Sequence, residues 1–159
     1  MKIAVAADHA GFALKELVLE ATRAAGHEVS DLGTHSAEPV DYPDIALLLG
    51  QALQRGTVER GVLLCGSGAG VAIAANKIYG VRAAVCHDHY TAHQAVEHDD
   101  LNVLALGARV VGPALALELV STFLAARFSH DARHARRVHK VQLLEQAFGR
   151  PLRDPPEGA

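Results

Sequence analysis

Short apolar runs alternate with longer amphipathic stretches along nearly the whole chain. Residues 2–7 read Lys-Ile-Ala-Val-Ala-Ala, a β-rich run that stops at Asp8. Gly11 opens an amphipathic stretch over 12–25, where Leu14, Leu17, Val18 and Ala21 recur at helical spacing. Gly26 ends it as a helix C-terminal glycine does. Residues 28–31 predict a second short strand. Asp41-Tyr42-Pro43 predicts a loop entering a helix with Ile45, Leu48, Leu49, Ala52 and Leu53 on one face.

The second half repeats the alternation. Residues 61–65 form an unbroken apolar strand pattern, followed by the glycine-rich Gly66 to Gly70 and by helical composition over 71–77. Residues 81–86 and 102–106 predict further strands, with helices after them near 89–98 and 114–127. One more helix is predicted over 131–148, with Ala135, Val138, Val141, Leu144 and Ala147 on one face. Continuous apolar strands separated by helices mark a parallel sheet covered on both sides. The expected fold is an α/β, Rossmann-like three-layer sandwich with a five-stranded parallel sheet and an added C-terminal helix.

Composition narrows this further. The 159 residues suit one domain, expected over 1–149, and the three prolines of 150–159 predict a loose tail. Half the chain is apolar, but aromatics are only 4% with no Trp, so the core must be aliphatic. A net charge of -3 gives no electrostatic reason to expect nucleic acid or an anionic membrane as partner. The first apolar run is too short for an export signal, and no stretch is long and apolar enough to cross a bilayer. The two cysteines, Cys65 and Cys86, make no disulfide framework, so the expected compartment is the reducing cytoplasm.

The candidate chemistry gathers at predicted strand ends. In an open α/β sheet, ligands bind at the carboxyl ends of strands. Cys65 sits at such an end, and Cys65-Gly66-Ser67-Gly68-Ala69-Gly70 lets backbone N–H groups turn inward as an anion-binding nest. Amides turned toward a thiol favour its nucleophilic, basic form. Other loop identities fail: the Lys of a nucleotide P-loop is absent, the dinucleotide spacing Gly-x-Gly-x-x-Gly is not met, and a cysteine phosphatase loop needs Arg where Val71 stands. A thiol-redox role lacks Cys-x-x-Cys. Asp8 and His9 end the first strand at the same expected rim. They read either as a helix cap with an exposed imidazole or as a binding pair for hydroxyls or phosphate. His98, in His98-Asp99-Asp100 before the fifth strand, is a general acid–base candidate, or part of a solvated turn. Arg133 and Arg137, four apart on the last helix, share a face and fit a phosphate dianion, as does Arg109. His87, His89 and His93 have partial metal-ligand spacing, but they read better as a surface helix in a chain of ten histidines.

Taken in order, these pieces resemble ribose-5-phosphate isomerase type B, in the family that includes the galactose-6-phosphate isomerase subunits. The carriers are Ala7-Asp8-His9-Ala10-Gly11-Phe12, Leu14-Lys15, Gly33-Thr34, Asp41-Tyr42-Pro43, the Cys65 to Gly70 loop, Ala74-Ala75-Asn76-Lys77, Asn102 to Gly107, Arg109-Val110-Val111-Gly112, and Arg133-His134 with Arg137-Val138. The resemblance implies an aldose–ketose isomerase working through an enediolate, with Cys65 as base and no metal or organic cofactor. It implies that His98 assists furanose opening and that Ser67 supplies a catalytic hydroxyl. It implies that Asp8, Tyr42, Gly66, Gly68, Ala69, Gly70 and Asp99 hold substrate oxygens, and that His9, Arg109, Arg133 and Arg137 bind phosphate. A homodimer, or a dimer of dimers, with sites shared between subunits is expected. The chain departs from the family at Asp99, where Asn is common, and carries Ser67 where Thr is also seen.

Overall fold

The computed structural model describes residues 1–148. The expected tail, 150–159, lies outside the described residues. Five parallel strands, β1 (Lys2–Ala7), β2 (Glu28–Asp31), β3 (Arg60–Cys65), β4 (Ala83–Val85) and β5 (Val103–Gly107), form one sheet in the order β2-β1-β3-β5-β4. Six helices connect and follow them: α1 (Phe12–Ala24), α2 (Tyr42–Gln54), α3 (Ala69–Ala75), α4 (His89–Asp99), α5 (Pro113–Ala125) and α6 (Ala132–Phe148).

The sandwich follows from side-chain alternation along apolar strands. Ile3, Val5, Val62, Leu64, Leu104 and Leu106 point to one face, where α1, α4 and α5 cover them. Ala4, Ala6, Leu63, Cys65, Val103 and Ala105 point to the other, under α2 and α3. The second face is lined by smaller residues, so its helices lie close to the strands. Phe123 of α5 is the largest fully buried side chain, and the rest of the core is aliphatic, as the composition requires.

Several boundaries shift by one or two residues, and two of the shifts have evident physical reasons. The strand expected over 81–86 is reduced to three residues, Ala83–Val85. Val81 N–H closes a turn onto Ile78, and Arg82 N–H donates to the Asn102 side chain instead of a ladder partner. The helix expected from 71 starts at Ala69, because Gly68 already takes the left-handed N-cap conformation, φ 82°.

The face expected on α6 is only partly covered. His134 and Val138 are its buried residues, whereas Val141 and Leu144 are more than half exposed in the single chain. With Tyr79, Lys77, Asp99 and Arg137 they line a groove of about 1300 Å³ between α6 and the β4 edge.

Candidate active site

Strand order decides where ligand chemistry can occur. The chain leaves β1 toward β2 on one side and passes to β3 on the other, so the switch point lies between the carboxyl ends of β1 and β3. Asp8 and Cys65 flank that crevice. Asp8 is buried, and one of its carboxylate oxygens accepts the N–H groups of Ala10 (2.8 Å) and Gly11 (3.0 Å). That locks the turn into α1. His9 Nδ1 accepts the N–H of Val40 at 3.3 Å, which leaves the neutral ring its proton on Nε2.

Cys65 ends β3 with its thiol nearly buried, and Sγ accepts the N–H of Gly68 at 3.2 Å. Gly68 supplies the positive φ this turn requires. Ser67 Oγ accepts the N–H of Ala69 at 3.3 Å. Behind the turn, a Cβ on Gly107 would stand 2.7 Å from the Ser67 backbone, so the loop rests directly on β5. The Tyr42 ring, at the start of α2, lies over Gly70. The Arg109 side chain passes beside Gly66, and Arg109 N–H donates to the Gly66 carbonyl at 3.0 Å. Asp8, His9, Tyr42, Cys65, the Gly66 to Gly70 loop and Arg109 therefore gather at one rim, as expected of the strand ends.

The remaining candidates lie at the opposite edge. His98 and Asp99 close α4, and Asp100 caps it in the left-handed conformation, φ 52°. They enter β5 at its amino end, whereas Cys65 pairs with Gly107 at its carboxyl end. The five residues of β5 put roughly 13 Å of strand between the two edges. Arg133 and Arg137, on α6, belong to the His98 edge, where Arg137 and Asp99 line the same groove. One chain does not bring His98, Asp99, Arg133 and Arg137 to Cys65.

Among the described residues, no group of three His, Cys, Asp or Glu side chains is arranged to hold a metal. The three histidines with ligand-like spacing have other partners. His87 Nε2 accepts the N–H of Gly107 at 3.1 Å, His89 meets Glu118 and His93 meets Glu97. Cys86 is fully buried, and desolvation with the nearby Asp88 charge pushes its thiol up to about 11.

The family profile described as Ribose/Galactose Isomerase matches residues 3–141. The chain belongs to the ribose/galactose isomerase family. Among related members, the protein named ribose-5-phosphate isomerase B in Escherichia coli K12 is 44% identical over 145 residues, 91% of this chain and 97% of that one. A Pectobacterium atrosepticum relative named D-erythrulose-4-phosphate isomerase is 40% identical over 149 residues, 91% of this chain and 95% of its own. The solved Clostridium thermocellum ribose-5-phosphate isomerase B has a TM-score of 0.90 at 47% identity, covering 93% of this chain and 99% of that one. Membership of the ribose/galactose isomerase family makes the protein an aldose–ketose isomerase.

Two buried groups near the candidate residues are not visible in the motifs alone. Lys15 is buried in α1, where its Nζ donates to both Asp31 oxygens (2.7 and 2.6 Å) and to the Gly33 carbonyl (2.8 Å). It clamps the start of the loop that carries Val40 to His9 and Tyr42 to Gly70. The signal was a lysine among the buried positions Leu14, Val18 and Leu19 of an amphipathic helix. His134, between the two candidate arginines, is the second, buried and stacked on His98, and nothing in its spacing separates it from a surface histidine.

Proposed function

We propose that the protein interconverts ribose 5-phosphate and ribulose 5-phosphate through an enediolate, with Cys65 as the base and no metal or organic cofactor. The observation that carries this is the Cys65 sulfur at a strand end, hydrogen-bonded by Gly68 N–H inside a glycine nest, with Asp8 following the neighbouring strand and the Tyr42 ring against Gly70. In the reaction, the Cys65 thiolate takes the proton from C2 of the open-chain aldose. The electron pair moves into a C1–C2 double bond, and negative charge develops on O1. The resulting thiol returns its proton to C1, and a proton passes from O2 to O1. Amides of Gly66, Gly68, Ala69 and Gly70, with the Ser67 hydroxyl, stabilise the enediolate oxygens. Asp8, Tyr42 and Asp99 hold hydroxyls, and His98 moves the proton that opens the furanose ring. His9, Arg109, Arg133 and Arg137 hold the phosphate.

This reading requires two chains. Cys65 and His98 lie at opposite edges of one sheet, which supports a homodimer, or a dimer of dimers, in which one subunit offers the Cys65 rim and its partner the His98 edge. The uncovered apolar side of α6 supports the same assembly. Two free, buried cysteines are in keeping with a cytoplasmic location.

Asp99 favours a second reading. A carboxylate accepts hydroxyl hydrogen bonds but cannot donate one as an amide does, so a 6-phosphohexose of allose or galactose type is the alternative substrate. A coupled assay of ribose 5-phosphate and both hexose 6-phosphates, with and without chelator, on wild type and Cys65→Ala, tests the proposal. Ribose 5-phosphate should turn over fastest, and Cys65→Ala should keep phosphosugar binding while losing isomerisation. Near-normal turnover by the variant would remove Cys65 as base. Loss on chelation, restored by a divalent ion, would return attention to His87, His89 and His93.

A further inference from the structure

His134 is the one histidine among the described residues whose ring is fully withdrawn from water. A leucine at that position would pack α6 on α4 without the cost of desolvating an imidazole. The ring instead stacks on His98, with centroids 4.0 Å apart and planes 29° from parallel. Its Nδ1 lies 2.7 Å from Ser129 Oγ, which also accepts the N–H of Asp131 at 3.3 Å. The hydroxyl can donate to a neutral Nδ1 or accept from a protonated one, and in either case it holds the ring in place. Ser129 is fixed in turn, because its N–H donates to the Glu97 carbonyl next to His98. On the far side, the carboxamide nitrogen of Gln94 stands 2.7 Å from His98 Nδ1. Assigned from this network, neutral His98 accepts at Nδ1 and carries its proton on Nε2, where Glu97 stands 3.8 Å away.

We propose that His134 is the positioning residue for His98: held beside Ser129, its ring sets the plane in which His98 delivers a proton to the sugar, while Gln94 sets the tautomer. This deepens the proposed function and rests on His98 acting in ring opening. The placement has a second effect. Arg133 and Arg137 flank His134 on α6, so the same stack sets the height of the phosphate clamp relative to His98. Burial, with the nearby His98, Arg133 and Arg137 charges, lowers the His134 pKa against the opposing pull of Asp131, which favours the neutral ring at the stack. The charged groups on this side are Glu97, Asp99 and Asp100 at the end of α4, Arg82 paired with Asp100 from the β4 side, and Asp131, Arg133 and Arg137 beside His134. Glu118 of α5, the other helix packed on α4, is engaged by His89 at the far end of α4.

The test compares wild type, His134→Ala, His134→Phe, Ser129→Ala and His98→Asn by kinetics on cyclic ribose 5-phosphate and on open-chain ribulose 5-phosphate, with thermal melting. His134→Ala should lower kcat about tenfold on the cyclic sugar, the scale on which lost orientation of a reacting group is felt. The loss should be smaller on the open-chain ketose, after allowing for the equilibrium constant, because only the cyclic sugar needs its ring opened. His134→Phe keeps a flat ring against His98 and should recover kcat to within about threefold. Wild-type kcat in His134→Ala, a Phe variant as slow as the Ala variant, or equal losses on the two sugars would each overturn the positioning role. If His134→Ala does not fold, Ser129→Ala, which removes only the hydroxyl beside His134, must show a smaller loss of kcat that is again larger on the cyclic sugar, and the absence of that loss overturns the proposal. Full turnover in His98→Asn would instead remove His98 from ring opening, which separates failure of that reading from failure of His134 as its positioning residue.

Discussion

At the scale of single residues, the two cysteines are chemically unlike. Cys65 opens onto the nest, whereas Cys86 is sealed under α4 and α5 with its thiol held near 11. Iodoacetamide at neutral pH should therefore modify one cysteine per chain and abolish activity, with substrate protecting. Mass spectrometry that finds Cys86 labelled first would contradict this. Arg137→Ala should raise KM for ribose 5-phosphate roughly tenfold to a hundredfold, the worth of one charge-assisted phosphate contact at about 1.5–3 kcal/mol. Unphosphorylated ribose lacks the partner, so equal losses on both sugars would refute the clamp. The Cys65 rim was legible because glycines, a thiol and Asp8 sit next to strand ends, where backbone direction alone fixes their place. Lys15 and His134 were not assigned roles, because what distinguishes each is burial against residues distant in sequence.

At the scale of elements, all eleven were legible, since hydrophobic period changes cleanly between strands and helices. Where boundaries shifted with an evident cause, at β4 and α3, side-chain hydrogen bonds and one left-handed glycine decided the ends, and neither leaves a periodic trace. The Lys15 clamp ties α1 to β2 and the following loop. Lys15→Met should cost about 2–3 kcal/mol, because Asp31 then keeps a largely withdrawn charge without its cation. Denaturant melts should show that loss, with KM rising as the His9 and Tyr42 loop loosens. An unchanged midpoint would make the pair ornamental. The α4–α6 contact should also be acid-labile. Burial lowers the pKa of His134, and burial with the N-terminal ammonium lowers that of His27. A depressed histidine pKa means that the unfolded chain binds more protons, so stability is complete above the ordinary value near 6.5 and falls as pH drops below it. The melting temperature should decline from pH 7 toward 5, and His134→Phe should flatten that slope.

At the scale of the whole molecule, the sheet was legible from the pattern of the chain, whereas the division of the site was expected only through the resemblance and not from spacing. Motifs read along a chain appear as one set, yet parallel strands send Cys65 and the α4 end to opposite edges. Helix α6 shows the same limit. Its apolar positions share one face, as the period implies, but in the single chain Val138 is buried while Val141 and Leu144 line an open groove. Five residues of β5 thus act as a spacer that no side-chain motion can cross. Under the proposed sharing of the site, each subunit by itself is two unfinished halves, and catalysis becomes a property of encounter. Diluted well below its dissociation constant, the preparation should show a rate rising with the square of protein concentration, returning to first order once pairs dominate. A rate strictly proportional to concentration, under conditions where light scattering reports monomers, would mean that one chain suffices.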